Sequence, residues 1–126
     1  MFSYTGPADA RFDGTVLRLR KISHENRIDT DTFADAEEPD DPTILFQPAV
    51  IQRLIPPENL PRLESVRVCR PWLEELRVLF EERRPAERRV KDWIDVNRTK
   101  AVLATDLVGG KALAIEIKVR RCTVML

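Results

Sequence analysis

Hydrophobic and polar residues alternate most regularly over residues 112–118, where the sequence reads Ala-Leu-Ala-Ile-Glu-Ile-Lys. This period-two pattern predicts a strand with one face of leucine and isoleucine. The opposite face carries the charged side chains of Glu116 and Lys118 among alanines, whose small size leaves room for a ligand. A half-buried strand with a solvated charged face explains the same pattern, so both interpretations stay open at this point.

Alternation predicts further strands along the chain. The turn signal Asp13-Gly14 joins two of them into a hairpin, and Gly109-Gly110 joins the last of them to residues 112–118 in a second hairpin. The four spans are residues 1–5, 16–21, 65–69 and 100–106.

Apolar residues at helical spacing predict one main amphipathic helix over residues 70–84. Pro71 suits the first turn of this helix, and Pro85 ends it. The predicted buried stripe consists of Trp72, Leu73, Leu76, Leu79 and Phe80.

A second apolar segment, residues 43–55, predicts a short helix that begins near Pro48 and ends before Pro56-Pro57. The side chains expected to pack from it are Val50, Ile51, Leu54 and Ile55.

Residues 28–42 carry seven acidic side chains, two prolines and no basic residue. Few apolar groups are present to offset the entropy lost on ordering, so we expect a mobile acidic loop. A carboxylate metal site is the alternative, but the segment has no glycine and no EF-hand spacing.

Composition narrows the class of protein. The chain has 126 residues with 21 basic and 21 acidic side chains, which fits one globular domain and argues against a general nucleic-acid binder. No apolar run approaches the roughly 20 residues of a spanning helix, and the N-terminus lacks the pattern of a secretory signal. Two distant cysteines, Cys69 and Cys122, are expected to be reduced thiols of an intracellular protein.

Basic residues cluster behind the main helix, at Arg83, Arg84, Arg88, Arg89 and Lys91. Cations at a helix C-terminus are favoured by the helix dipole, whereas guanidinium groups also match phosphate oxygens. The two readings are weighed equally here. The whole pattern predicts a small α+β unit of two hairpins and one main helix, with cations from several strands facing a cleft that suits phosphates.

The chain resembles the N-terminal part of the inositol-pentakisphosphate 2-kinase family. The similar segments follow in order, and Arg84-Pro85 followed by Arg88 is similar to the family's Arg-Pro-x-x-Arg. Residues 115–118, reading Ile-Glu-Ile-Lys, resemble its Glu-Ile-Lys-Pro-Lys signature. The further similar segments are residues 3–6, 16–21, 50–56, 66–68, 72–74 and 101–106.

The resemblance implies transfer of the γ-phosphate of ATP to the 2-hydroxyl of inositol pentakisphosphate, giving inositol hexakisphosphate (phytate). ATP would act with a divalent cation, expected to be Mg²⁺. By resemblance, Arg18 and Lys118 would contact nucleotide phosphates, with Glu116 beside them. The hinge segment Thr105, Asp106 and Leu107 would border the adenine, and Arg88 would reach a substrate phosphate.

The departures from the family pattern are also informative. The Gly-rich loop expected before Phe2 is absent, and Val119-Arg120 stands where the family has Pro-Lys. We therefore expect residues 1–119 to form a lobe resembling the small N-lobe of inositol polyphosphate kinases, and residues 120–126 to be an unrelated tail. The family's catalytic aspartate and metal ligands would lie in a missing large lobe. The chain is thus expected to be a truncated, inactive fragment that exposes apolar surface.

The implied partner is a small-molecule substrate, with no nucleic acid and no membrane, and the full-length protein would be a nuclear or cytoplasmic monomer. Two alternatives remain: a non-catalytic module that binds polyanions, and an inactive relic with no ligand.

Overall fold

The computed structural model describes residues 1–26 and 37–108 of the chain. Its main feature is an antiparallel sheet whose four strands are β1 (Phe2–Ser3), β2 (Thr15–Arg18), β4 (Leu63–Arg67) and β6 (Lys100–Thr105), in the spatial order β1-β2-β6-β4. A separate two-stranded antiparallel sheet pairs β3 (Lys21–Ser23) with β5 (Asp92–Ile94). The predicted α+β class with antiparallel sheets is therefore confirmed.

The predicted N-terminal hairpin is present. Phe2 lies opposite Leu17, and Gly14 in the connection adopts a positive φ of 68°, which favours glycine. The second strand was predicted to run through residue 21, but it ends at Arg18 because the chain leaves this sheet. The next three-residue strand, β3, pairs with β5 instead, so a single alternating pattern spans two different sheets.

Strand β6 lies at the centre of the larger sheet, between β2 and β4. It confirms the strand predicted at residues 100–106, and its four buried residues, 101–104, form most of the apolar core. A continuous apolar run is the pattern expected where both faces of a strand are covered. The strand predicted at residues 65–69 corresponds to β4, which begins and ends two residues earlier.

The main helix, α2 (Arg70–Glu81), begins where predicted and ends three residues early. Leu73 is fully buried at 1% exposure, and the rings of Phe2 and Phe80 meet edge to face at 4.8 Å. The prediction of one buried stripe is wrong for Trp72 and Leu79, which are 40% and 63% exposed. Only part of the apolar face of α2 finds a partner within residues 1–26 and 37–108.

Helix α1 (Pro42–Ala49) begins six residues before the predicted start near Pro48. Asp41 caps it by accepting hydrogen bonds from the backbone N–H and the hydroxyl of Thr43, at 2.9 and 2.7 Å. Pro48 lies in its last turn, where its nitrogen donates no helical hydrogen bond. The local cap, and not the proline, therefore sets the start of this helix.

A 3-10 turn, Ile51–Arg53, follows α1, and further 3-10 turns occupy His24–Asn26 and Pro57–Asn59. The predicted packing after Pro48 is wrong for Leu54, which is 78% exposed. Exposed apolar surface is present as predicted, at Leu45, Phe46, Leu54, Val78 and Leu79 among others. No helix within the described ranges is long and apolar enough to cross a membrane.

Candidate phosphate-binding site

Arg18, the proposed nucleotide contact, is the last residue of β2 and is exposed. It lies opposite Val102 of β6, on the same face of the sheet as the buried Val16. The second predicted hairpin, with Glu116 and Lys118, lies outside the described residues. The structure therefore tests neither the strand at residues 112–118 nor the roles of these two side chains.

The exposed side chain of Arg18 lines a groove of about 690 Å³. The groove contains charges of both signs, because the segment before α1 crosses it with three carboxylates. Its basic side chains are Arg18, Arg20, Lys21, Arg98 and Lys100, and its acidic ones are Glu38, Asp40 and Asp41.

Most cations of this groove already have an acidic partner. The ammonium of Lys100 lies 3.0 Å from Asp40 and 3.3 Å from Glu37, contacts that raise the pKa of Lys100 and lower that of Asp40. Arg20 lies 3.3 Å from Asp41. Arg18 makes no ion pair with any described residue, so its guanidinium remains available for an anionic ligand.

The predicted hinge segment follows β6 directly. The hydroxyl of Thr105 accepts a hydrogen bond from the backbone N–H of Arg62 at 2.9 Å, and a side-chain oxygen of Asp106 accepts one from the N–H of Val108. Thr105 lies three positions along β6 from the partner of Arg18, so its side chain lies on the other face of the sheet. The structure thus does not bring Thr105 and Arg18 together. Leu107 is 60% exposed.

The basic cluster behind α2 divides into buried and exposed members. Arg84 has a side chain that is only 4% exposed. Its guanidinium donates to the carboxylates of Glu81 and Asp92, both at 2.5 Å, and to the backbone carbonyls of Asp92 and Arg88, at 2.6 and 2.8 Å. Burial acts against the charged guanidinium, but these partners outweigh it and raise the pKa of Arg84. This arginine is part of the fold.

Arg89 supports the helix-terminus interpretation of the same cluster. It donates to the backbone carbonyl of Glu82, the C-cap residue of α2, at 2.9 Å, and to that of Arg84, two residues further on, at 2.7 Å. The two interpretations therefore apply to different members of the cluster.

Arg83, Arg88 and Lys91 are exposed, and their side chains make no ion pair within residues 1–26 and 37–108. Arg88 belongs to the one-turn helix α3 (Ala86–Arg89), which leads into β5. These exposed cations are the part of the cluster that suits an anion.

A chain of contacts connects the Arg18 strand to the Arg88 turn. Lys21, three residues after Arg18, lies 3.3 Å from the carboxylate of Asp92. The same carboxylate oxygen accepts from Arg84, whose guanidinium also reaches the carbonyl of Arg88. The small sheet of β3 and β5 therefore lies between the two residues that the resemblance assigns to nucleotide and substrate.

Sequence reasoning missed the role of Glu38. This carboxylate is 8% exposed and accepts the backbone N–H groups of Thr99 and Lys100, at 2.6 and 3.2 Å, and the Thr99 hydroxyl at 3.0 Å. Arg98 lies 3.2 Å away and also donates to Asp95 at 2.9 Å. No local signal could show this, because the partners are about 60 residues from Glu38.

The predicted mobile acidic loop is thus anchored at Glu38, and its last residue, Pro42, is the first residue of α1. Residues 27–36, which include most of that loop, lie outside the described residues. Within the ranges that the structure describes, no three metal-ligating side chains come together, and the structure assigns no ligand for a divalent cation.

A comparison with known protein families matches residues 1–119 to inositol-pentakisphosphate 2-kinase. No curated protein matches the chain. The matched segment includes the Arg18 groove, the Arg84 cluster and the hinge segment, and it spans nearly the whole chain. The chain therefore belongs to the inositol-pentakisphosphate 2-kinase family.

Proposed function

We propose that this chain serves the transfer of the γ-phosphate of ATP to the 2-hydroxyl of inositol pentakisphosphate, the step that yields inositol hexakisphosphate. The family match over residues 1–119 is the observation that carries the proposal. The exposed Arg18 and Arg88 support it, since neither guanidinium makes an ion pair with a residue that the structure describes. No residue of this chain is assigned as catalytic, so the proposal concerns the binding of nucleotide and substrate.

On the nucleotide side, Arg18 would contact a phosphate of ATP, together with Lys118 and Glu116. The backbone of residues 105–107 would border the adenine. Mg²⁺ bound to ATP would neutralise developing phosphate charge during transfer, and its protein ligands are not assigned. Residues 1–119 would form the small lobe of the kinase, in a nuclear or cytoplasmic monomer.

On the substrate side, Arg88 would contact a phosphate of inositol pentakisphosphate. A guanidinium fork pairs two parallel N–H groups with two phosphate oxygens, a geometry that a surface lysine cannot reproduce. Arg83 and Lys91, exposed nearby, would add general positive charge.

Isothermal titration calorimetry on the full chain tests this division. We expect Arg88→Ala to weaken binding of inositol pentakisphosphate by about tenfold or more, the loss of one charge-assisted hydrogen-bonded contact, and to leave ATP affinity nearly unchanged. Arg18→Ala should do the reverse. Arg53→Ala is the matched control, because it removes the same charge from an exposed arginine outside the basic cluster and the groove.

Equal losses of both ligands on Arg88→Ala would contradict the assignment. Binding of inositol phosphates with a steep salt dependence, but none of ATP, would favour the module that binds polyanions without catalysis. A chain that binds neither ligand would favour the relic.

A further inference from the structure

Arg84, the first arginine of the Arg84-Pro85-x-x-Arg88 motif, is buried, but it still contacts the backbone of Arg88. We propose that Arg84 is a positioning residue: it fixes the turn from which Arg88 reaches the substrate. The proposal rests on the assignment of Arg88 made above. It concerns how the fold holds a residue that binds a ligand, and it gives the two arginines of one motif different tasks.

Arg84 contacts the backbone of Arg88 directly. One terminal nitrogen of Arg84, Nη2, donates to the backbone carbonyl of Arg88 at 2.8 Å and to the carboxylate of Asp92 at 2.5 Å. The other, Nη1, donates to Glu81 at the end of α2 and to the backbone carbonyl of Asp92. One planar guanidinium thus ties the backbone of Arg88 to the preceding helix and to the following strand.

The turn that carries Arg88, helix α3, is too short to be stable without contacts to its surroundings. Helix α3 has four residues, and a single turn is not stable alone because nucleation fixes several dihedrals for one hydrogen bond. Its internal bonds are few, such as the Arg88 N–H to the Pro85 carbonyl at 3.0 Å. Contacts with the surrounding structure must therefore hold it. Arg84 donates to the carbonyl of Arg88, the ring of His24 lies 3.1 Å from the carbonyl of Arg89, and the Arg89 side chain donates back to the carbonyl of Arg84.

The contacts that hold this turn require a guanidinium at position 84. Four acceptor oxygens lie within 2.8 Å of the two terminal nitrogens of Arg84. A lysine carries a single ammonium and cannot reach all four, although it keeps the charge and most of the apolar stem. Arg84→Lys therefore removes some of the positioning contacts and keeps the positive charge.

The test is a double-mutant cycle on the full chain, with inositol pentakisphosphate and ATP titrated separately into wild type, Arg84→Lys, Arg88→Ala and the double variant. We expect Arg84→Lys to weaken inositol pentakisphosphate binding about fivefold, less than Arg88→Ala, because a displaced Arg88 keeps part of its charged contact. ATP binding should stay within about twofold. In the Arg88→Ala background, the same change should have no further effect.

A purely structural Arg84 would lower both affinities and would act independently of Arg88, so multiplying effects would overturn the proposal. Arg53→Lys, on an exposed arginine outside the basic cluster, is the control and should change neither affinity. Should Arg84→Lys fail to fold, Glu81→Gln keeps the guanidinium and weakens one of its contacts, because the amide oxygen accepts the hydrogen bond without a charge. It should then produce a smaller loss, specific to inositol pentakisphosphate, and an unchanged affinity would count against the proposal.

Amide hydrogen exchange separates this proposal from the function on which it rests. A wild-type chain that does not bind inositol pentakisphosphate contradicts the proposed function alone. Exchange at residues 88–91 should still accelerate in Arg84→Lys by about tenfold, as expected for local opening of a loosened turn. Exchange in β6 should not change. Unchanged exchange at residues 88–91 would overturn the positioning role whatever the ligand.

Discussion

Two buried charges hold different parts of this molecule, and they do so over different distances along the chain. Arg84 finds its side-chain and carbonyl partners within eight residues, in α2, α3 and β5. Glu38 finds its partners about 60 residues away, at the start of β6. Both are nearly fully hydrogen-bonded, which is the condition for burying a charge at acceptable cost.

The difference has a functional consequence. The Arg84 cluster leaves Arg88 exposed and free of acidic partners among the described residues. The Glu38 anchor instead brings Asp40 and Asp41 into the groove beside Arg18, where they pair with Lys100 and Arg20. The proposed substrate side therefore presents unpaired positive charge, whereas the proposed nucleotide side is partly neutralised by the protein itself.

The largest loss of stability should come from removing the carboxylate of Glu38, whose partners are about 60 residues away in the sequence. Glu38→Ala should lower the free energy of unfolding by about 3 kcal/mol, because it leaves the amides of Thr99 and Lys100 without their acceptor and Arg98 with one carboxylate instead of two. Urea denaturation followed by circular dichroism measures it.

Glu37→Ala is the matched control for this experiment. The neighbouring side chain is 73% exposed, its ion pair with Arg67 lies at the surface, and Lys100 keeps Asp40 as a partner when Glu37 is removed. We expect a change within about 0.5 kcal/mol, as for other surface positions. Equal losses in the two variants would show that Glu38 is no anchor.

Lowering the pH should also weaken the hydrogen bonds of Glu38, because its carboxylate becomes protonated. Burial acts against ionised Glu38, but the hydrogen bonds from Thr99, Arg98 and Lys100 outweigh it and hold its pKa below the ordinary value. A carboxyl with a lowered folded-state pKa contributes stability that is present above its unfolded pKa, near 4.3, and is lost as the pH falls through the folded value.

The free energy of unfolding should therefore be level near neutral pH and fall below about pH 5. Glu38→Gln should reduce the slope of that fall, since the group no longer titrates. Denaturant titrations at a series of pH values measure both curves, and identical slopes would mean that other carboxyls, such as Asp92, dominate the acid response.

Elements specified by local pattern could be predicted from the sequence. The β1–β2 hairpin, the central strand β6 and the start of α2 follow from alternation, a turn glycine and a first-turn proline. The pairing of β3 with β5 could not be predicted, because the two strands are three residues each and about 70 positions apart. Short strands carry too little pattern to identify a distant partner.

The site was predicted in the same uneven way. The Arg-Pro-x-x-Arg resemblance indicated that Arg84 and Arg88 matter, but a sequence cannot tell which of two arginines is buried. That depends on Asp92, whose position follows from the β3–β5 pairing. The sequence predicted Glu38 to lie in a mobile loop. Its hydrogen-bond donors, the amides of Thr99 and Lys100, are too distant in the sequence to be identified from local pattern.

In this account, the first arginine of the motif, Arg84, stabilises the fold, and the second, Arg88, binds the ligand. The most direct test is urea denaturation of Arg84→Ala and Arg88→Ala side by side. We predict a loss of about 3 kcal/mol for Arg84→Ala, because it removes a buried side chain and four hydrogen bonds from the fold. A change within about 0.5 kcal/mol is expected for Arg88→Ala, an exposed position. Equal losses, or a larger loss for Arg88→Ala, would contradict the claim.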